Sequence, residues 1–226
     1  MNKAWQNHTY PLVMASTVQF AALTLLAMLV YPGGTLADPT SEGYSFLTNF
    51  FSDLGLLTSH NGAPNLMASV LFVTALALAG GGLIYFFMIF PAYFQEGRYG
   101  RWFSLAGSLF GVVSGLAYVG VAFTPADLFI DAHMTFVRTA FMAFLGAVIC
   151  YAPAILLHPR YPRWYAAVLL AFAALLAVYL WLLFFGPSEI RIQATGQKLI
   201  VYAAIGVIFI QAYGAHQFAQ GFRNAD

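Results

Sequence analysis

The sequence predicts an all-α, polytopic integral membrane protein built as a six-helix bundle, and three observations carry that expectation. Of its 226 residues, 61% are hydrophobic and only 8% are charged, whereas soluble domains carry roughly a quarter charged residues. Mean hydropathy is +0.77. Apolar segments near 11–31, 64–90, 102–124, 133–157, 164–186 and 198–218 are each long enough to cross a hydrocarbon core about 30 Å thick. They form one transmembrane domain over 1–226, without a soluble second domain or a low-complexity tract.

The first span follows a single basic residue, Lys3, and is longer than the roughly 7–15 apolar residues of a signal-peptide core, so it is expected to be retained. The loop after it runs from about 32 to 63, long for a connection without structure of its own. Within it Leu47, Phe50, Phe51 and Leu54 recur at helical spacing. The pattern predicts a short amphipathic helix from Ser45 to Leu57, on the outer interface or tucked into the bundle. Pro64 is placed to open the second span after an Asn61-Gly62 turn.

In the third span Gly107, Gly111 and Gly115 follow at intervals of four, which clears one helix face for close approach. That face fits packing within the bundle or a homo-oligomer or membrane-complex partner. Thr124-Pro125-Ala126-Asp127 has the spacing of a capped start to the fourth helix. Gly186-Pro187 ends the fifth.

Charge sets the expected orientation. Lys3, Arg98, Arg101, Arg160, Arg163 and Arg223 fall on one side of the spans and only Arg191 and Lys198 on the other. The positive-inside rule then places both termini in the cytoplasm of a multi-pass protein of the cell's inner, plasma membrane. The basic residues form no stripe able to neutralise a nucleic-acid backbone. Cys150 is the single cysteine, which excludes an intramolecular disulfide and a thiolate metal cluster.

Polar residues that carry chemistry gather toward the outer side: Asn49, Ser52 and Asp53 in the first loop, then Asp127, Asp131, His133 and Arg138 leading into the fourth span. On a continuous helix Asp127, Asp131 and Arg138 share a face. Arg138, about 7 Å deeper than His133, then calls for Asp131 or Asp53 as a partner. Two readings compete. In one, Asn49, Asp53, Asp131, His133 and Arg138 line an outward pocket where Asp53 and His133 hold a divalent metal or act as acid and base, with Ser52 as nucleophile. In the other, the loop residues cap a helix, Asp131 and Arg138 form a structural ion pair, and His133 sits at the interface. His216 lies about 27 Å from His133 in depth, so straight helices do not bring them to one metal. His8, His60 and His158 fall in flanking or loop segments and read as solvated, whereas Gln211 and His216 read as interhelical hydrogen-bond partners.

Three features together resemble the membrane family catalogued as domain of unknown function 998: Asn49-Phe-Phe-Ser52-Asp53-Leu-Gly55 after span one, Asn65 at the head of span two, and Pro125-Ala-Asp127 to His133 between spans three and four. The resemblance implies a small six-helix membrane fold and no assigned activity. More distantly, the layout is similar to membrane proteins that remodel GPI-anchor lipids or modulate autophagy, and to alkaline-ceramidase-like hydrolases. That likeness implies zinc with Ser52, Asp53 and His133 as part of a catalytic set, but leaves the remaining histidines without counterparts. The leading expectation is a pocket that binds or modifies a membrane lipid, as a lipid hydrolase or acyl-transfer enzyme if catalytic. The alternatives are a small-solute or proton transporter or channel, and an accessory subunit of a membrane complex.

Overall fold

The computed structural model describes residues 3–223, with side chains described over 9–221; the side chains of Lys3, His8 and Arg223 fall outside that range. Six helices account for the described chain: α1 (Lys3–Val30), α2 (Leu66–Ile89), α3 (Arg98–Ala122), α4 (Ile130–Leu157), α5 (Trp164–Phe185) and α6 (Ile190–Arg223). A 3₁₀ segment, Phe90–Phe94, extends α2. All six are long and apolar enough to cross a membrane, so the protein is a multi-pass membrane protein.

Each helix packs against its neighbours in sequence, and α6 closes onto α1. The result is a ring whose two ends differ. One end carries the first, third and fifth connections; the other carries the start of α1, the end of α6, the second and fourth connections, and a stack of buried aromatic rings. In that stack Phe90 stands 4.7 Å from Phe86, 4.9 Å from Tyr151 and 5.1 Å from Phe94, centroid to centroid. Phe94 continues it to Tyr161 at 5.6 Å. Aromatic faces at these separations pack favourably beyond the area they bury.

The small-residue face of α3 is used within the chain. A side chain on Gly107 would meet Tyr151 and the Ala147 carbonyl of α4, one on Gly111 would collide with Phe87 of α2, and one on Gly115 would lie 2.8 Å from the Gly80 carbonyl. Hydroxyl groups tie the same contacts: Ser108 donates to the Phe87 carbonyl at 2.5 Å and Ser114 to the Ala140 carbonyl at 2.9 Å. Each of these three glycines therefore lies against a neighbouring helix of the same chain.

Two expected elements differ in extent. The first loop holds a five-residue 3₁₀ turn, Phe51–Gly55, in place of a helix over Ser45–Leu57. The fourth helix begins at Ile130 and not at Thr124, because Leu128 and Phe129 both donate to the Pro125 carbonyl in a separate turn.

Gly115→Ala places its methyl against backbone and is expected to cost about 1–3 kcal/mol while leaving the oligomeric state unchanged. Thermal unfolding in detergent, with light scattering of the same sample, checks both. Unaltered stability contradicts the close α2–α3 approach.

Candidate functional site

The first loop folds around its own polar side chains. Asn49 is fully buried: its Nδ2 donates to the Gly34 carbonyl and to Asp53 Oδ2, each at 2.9 Å, and its Oδ1 accepts from the Ser45 amide at 2.9 Å. Asp53 Oδ2 also accepts from the Phe50 amide at 2.9 Å. Asp53 thereby captures the Phe50 amide, which a helix through 45–57 would use, the local competition by which aspartate and asparagine disfavour helix interiors. Gly34, with φ of +82°, lies so close to Asn61 that any side chain would collide with it. The apolar residues of the turn face inward, with Phe51 and Leu54 buried.

Three parts of the bundle then hold the loop. From α2 and its cap, Asn65 Nδ2 donates to the Leu56 carbonyl at 2.8 Å and the Leu54 carbonyl at 3.1 Å, and Ser69 donates to the Gly55 carbonyl at 3.2 Å. Ahead of α4, Asp127 Oδ2 accepts from the amides of Leu57 and Thr58 at 3.0 and 3.1 Å. From α6, Gln197 Oε1 accepts from the Phe51 amide at 2.8 Å. Its neighbour Lys198, 1% exposed, donates to the carbonyls of Asn49 and Ala194. The Lys198 ammonium also lies 5.4 Å from the Tyr44 ring and 5.3 Å from the Phe46 ring, a cation–π setting, with the Asp53 carboxylate in Coulombic range.

Beneath this loop, inside the ring of helices, lies a cavity with about 100 Å³ open to the centres of water-sized molecules. Phe51 and Ser52 roof it; His133 and Gln197 flank the roof; Leu83, Phe141, Phe144, Ile205 and Ile208 line its deeper wall. His133 is 3% exposed, and its Nδ1 lies 2.7 Å from the Thr124 carbonyl. A carbonyl only accepts, so Nδ1 carries the proton and Nε2 presents a lone pair.

The expected pocket residues divide. Ser52 and His133 line the cavity, although no hydrogen bond joins them among the described residues. Asn49 and Asp53 belong to the loop above it. Asp131 and Arg138 do not belong to either: both are exposed, and the Arg138 guanidinium lies 5.8 Å from the Phe184 ring instead of against a carboxylate. Helical geometry explains the split. Asp131 and Arg138, seven residues apart, share one face of α4, whereas His133, two residues from Asp131, points to the opposite side at about 3.6 residues per turn. Asp127 precedes the helix and is not part of that face at all.

The residues do not fit zinc. Among the described residues no group of three or more His, Cys, Asp or Glu side chains gathers, while zinc takes three or four protein ligands. The oxygens of Asp53 are committed to Asn49, Phe50 and His60, and His133 stands as a single imidazole. Compared with protein-family models, with curated proteins and with solved structures, the chain finds no match. The site therefore has to be read from its own chemistry.

Two histidines and a lysine differ from their expected settings. His60, expected to be solvated, has its Nε2 3.3 Å from Asp53 Oδ1, an approach that is electrostatic more than a well-aligned hydrogen bond. His158, also expected in solvent, is buried and accepts the Tyr161 amide at 2.8 Å through Nδ1. Lys198 opens the sixth apolar segment of the sequence, yet α6 begins at Ile190, so the lysine lies about 12 Å along it. Of the expected hydrogen bonds deeper in α6, Gln211 does bridge to the Tyr165 carbonyl of α5, whereas His216 pairs with Gln220 of its own helix.

The carboxylate of Asp53 raises His60 above the ordinary imidazole value, against the opposing effect of burial. A pKa raised by folding means that the stabilisation is complete below the unfolded value and is lost as pH rises through the folded one. Hydrogen exchange of the amides in 50–57, corrected for intrinsic rates, is therefore expected to quicken as pH climbs above about 6.5, and His60→Gln is expected to flatten that dependence. A loop equally protected across the range contradicts the latch.

Proposed function

We propose that this membrane protein binds the hydrocarbon chain of a lipid in the cavity under the first loop. The observation that carries this reading is the distribution of polarity along a long, narrow space. Eleven residues separate His133 from Phe144 on α4 and Gln197 from Ile208 on α6, about 16 Å at 1.5 Å per residue. Polar side chains in the wall, Ser52, Tyr118, His133 and Gln197, come mainly from segments near the loop end. The Thr17 hydroxyl, farther along, is spent on the Met14 carbonyl of its own helix. A cavity so lined suits an apolar chain with its polar end at the roof.

The terminal end argues against a solute pathway. Phe144 and Ile208, at the deep wall of the cavity, abut Phe86, Phe87, Phe90 and Tyr151 around a space of only about 10 Å³. Phe86, Phe90, Phe94 and Tyr151 are all essentially inaccessible. Ions and small polar solutes need polar or charged walls; here no charged side chain lines the space, and its polar groups are the Gln211 carboxamide, whose Nε2 is spent on the Tyr165 carbonyl, and the Tyr151 hydroxyl, paired with Ser108.

Orientation belongs to the same proposal: the balance of Arg and Lys puts the loop end outward and both termini in the cytoplasm, so the chain would come from the outer leaflet. Kinship with the domain of unknown function 998 family likewise rests on the quoted motifs alone. The reading is one of binding, with Ser52 and His133 as contacts for the polar end.

Native mass spectrometry of protein released from nanodiscs tests it. Wild-type protein is expected to retain one lipid, and Ala204→Phe, which fills the α6 side of the cavity, is expected to lower that occupancy about tenfold, the effect of roughly 1.4 kcal/mol in affinity. Equal retention by both, or by neither, rejects the chain-binding role.

A further inference from the structure

We infer that the polar end of the bound chain is an uncharged group that both donates and accepts hydrogen bonds, a hydroxyl or a carboxamide, and that His133 and Gln197 select it. The inference rests on the chain-binding reading above and specifies its ligand class.

Two hydrogen-bonding groups at the roof are fixed before any ligand arrives. His133, 97% buried by its 3% exposure, is held by the Thr124 carbonyl in the tautomer that leaves Nε2 as an acceptor. Nε2 has no protein partner among the described residues, and the ring lines the cavity. Gln197 is oriented from the other side: its Oε1 takes the Phe51 amide at 2.8 Å, which leaves the Nε2 amino group as the donor. Ser52 and Tyr118 add hydroxyl groups, able to serve in either sense. A fixed acceptor and a fixed donor complement a group that carries both functions. A hydroxyl does so through one oxygen, a carboxamide through its N–H and C=O.

Every nearby charge is committed elsewhere. Asp53 accepts from Asn49 and Phe50 and faces His60. Lys198 is spent on the carbonyls of Asn49 and Ala194 and on two aromatic rings. Asp127 holds Leu57 and Thr58, and Asp131 and Arg138 lie on the outer face of α4. None of them lines the cavity. A phosphate or carboxylate would find a counter-cation only by protonating the buried His133 imidazole, and a quaternary ammonium would find no carboxylate; burial of an unpaired charge is heavily disfavoured. The surrounding charges thus act as scaffolding for the roof, and the roof itself recognises a neutral head.

The test is a series of ligands of one chain length, offered to the wild-type protein in nanodiscs: the plain alkane, the alcohol, the primary amide, the carboxylate, the phosphate monoester and the trimethylammonium. The alcohol and amide are expected to bind at least about tenfold more tightly than the alkane and the charged members, as a hydrogen-bonded buried pair would give. In Gln197→Leu and His133→Phe, each checked by thermal unfolding, the advantage of the alcohol and amide over the alkane is expected to disappear. A charged head that binds as tightly as the alcohol overturns the inference, even if one variant fails to fold, because the wild-type series alone decides it. If the alkane binds and no head group is distinguished, the selectivity falls and chain binding stands. If no member of the series binds, chain binding itself falls.

Discussion

Backbone that leaves helical geometry over an apolar bundle must find partners for its own amides and carbonyls, because lipid supplies none. The first loop meets that constraint with side chains. Asn49 and Asp53 satisfy it from within, and Asn65, Asp127, Gln197 and Lys198 satisfy it from three different parts of the bundle. Remove this pairing and Phe51 and Ser52 have no reason to stay over the helices. The cavity, whose roof they form, exists because the loop is held down.

The same pairing decides what the cavity can recognise. Lys198 is buried with aromatic rings and carbonyls around it, and Asp53 is buried with amide donors and an imidazole around it. Both side chains are held where they are and withheld from the space below. What reaches that space is neutral: an imidazole lone pair, a carboxamide and hydroxyl groups. One element therefore serves two purposes, closing the bundle and setting the polarity of its interior. At the terminal end the aromatic stack from Phe86 to Tyr161 fills the ring of helices with buried rings that carry few polar atoms.

The architecture was legible in the sequence because it rests on hydropathy summed over long segments, where local detail averages out. All six spans fall where the apolar segments lie, and Gly107, Gly111 and Gly115 mark the tight α3 contacts. The site was legible only in part. Ser52 and His133 do line one cavity and Asn49 and Asp53 do meet, but Asp131 and Arg138 lie on the wrong face of α4. A start at Ile130, not Thr124, removed Asp127 from that helix, and nothing in the spacing distinguishes the turn at Pro125 from a helix cap. Lys198 and His60 were missed for a different reason. Their environment is made by residues distant in sequence, Asn49 and Asp53, so no local pattern carries it. The clue that was present is the position of Lys198 itself: a helix opening just after Pro187 and Glu189 already places it well inside the span.

A cryo-electron microscopy map of the protein in lipid nanodiscs tests the central claim most directly. The account expects continuous, unbranched density beginning beside His133 and Gln197 and running between α4 and α6 to Phe144 and Ile208, under an ordered first loop. A cavity collapsed by its own side chains, or a water-filled path that passes Phe90 and Tyr151 to the terminal end, would contradict it.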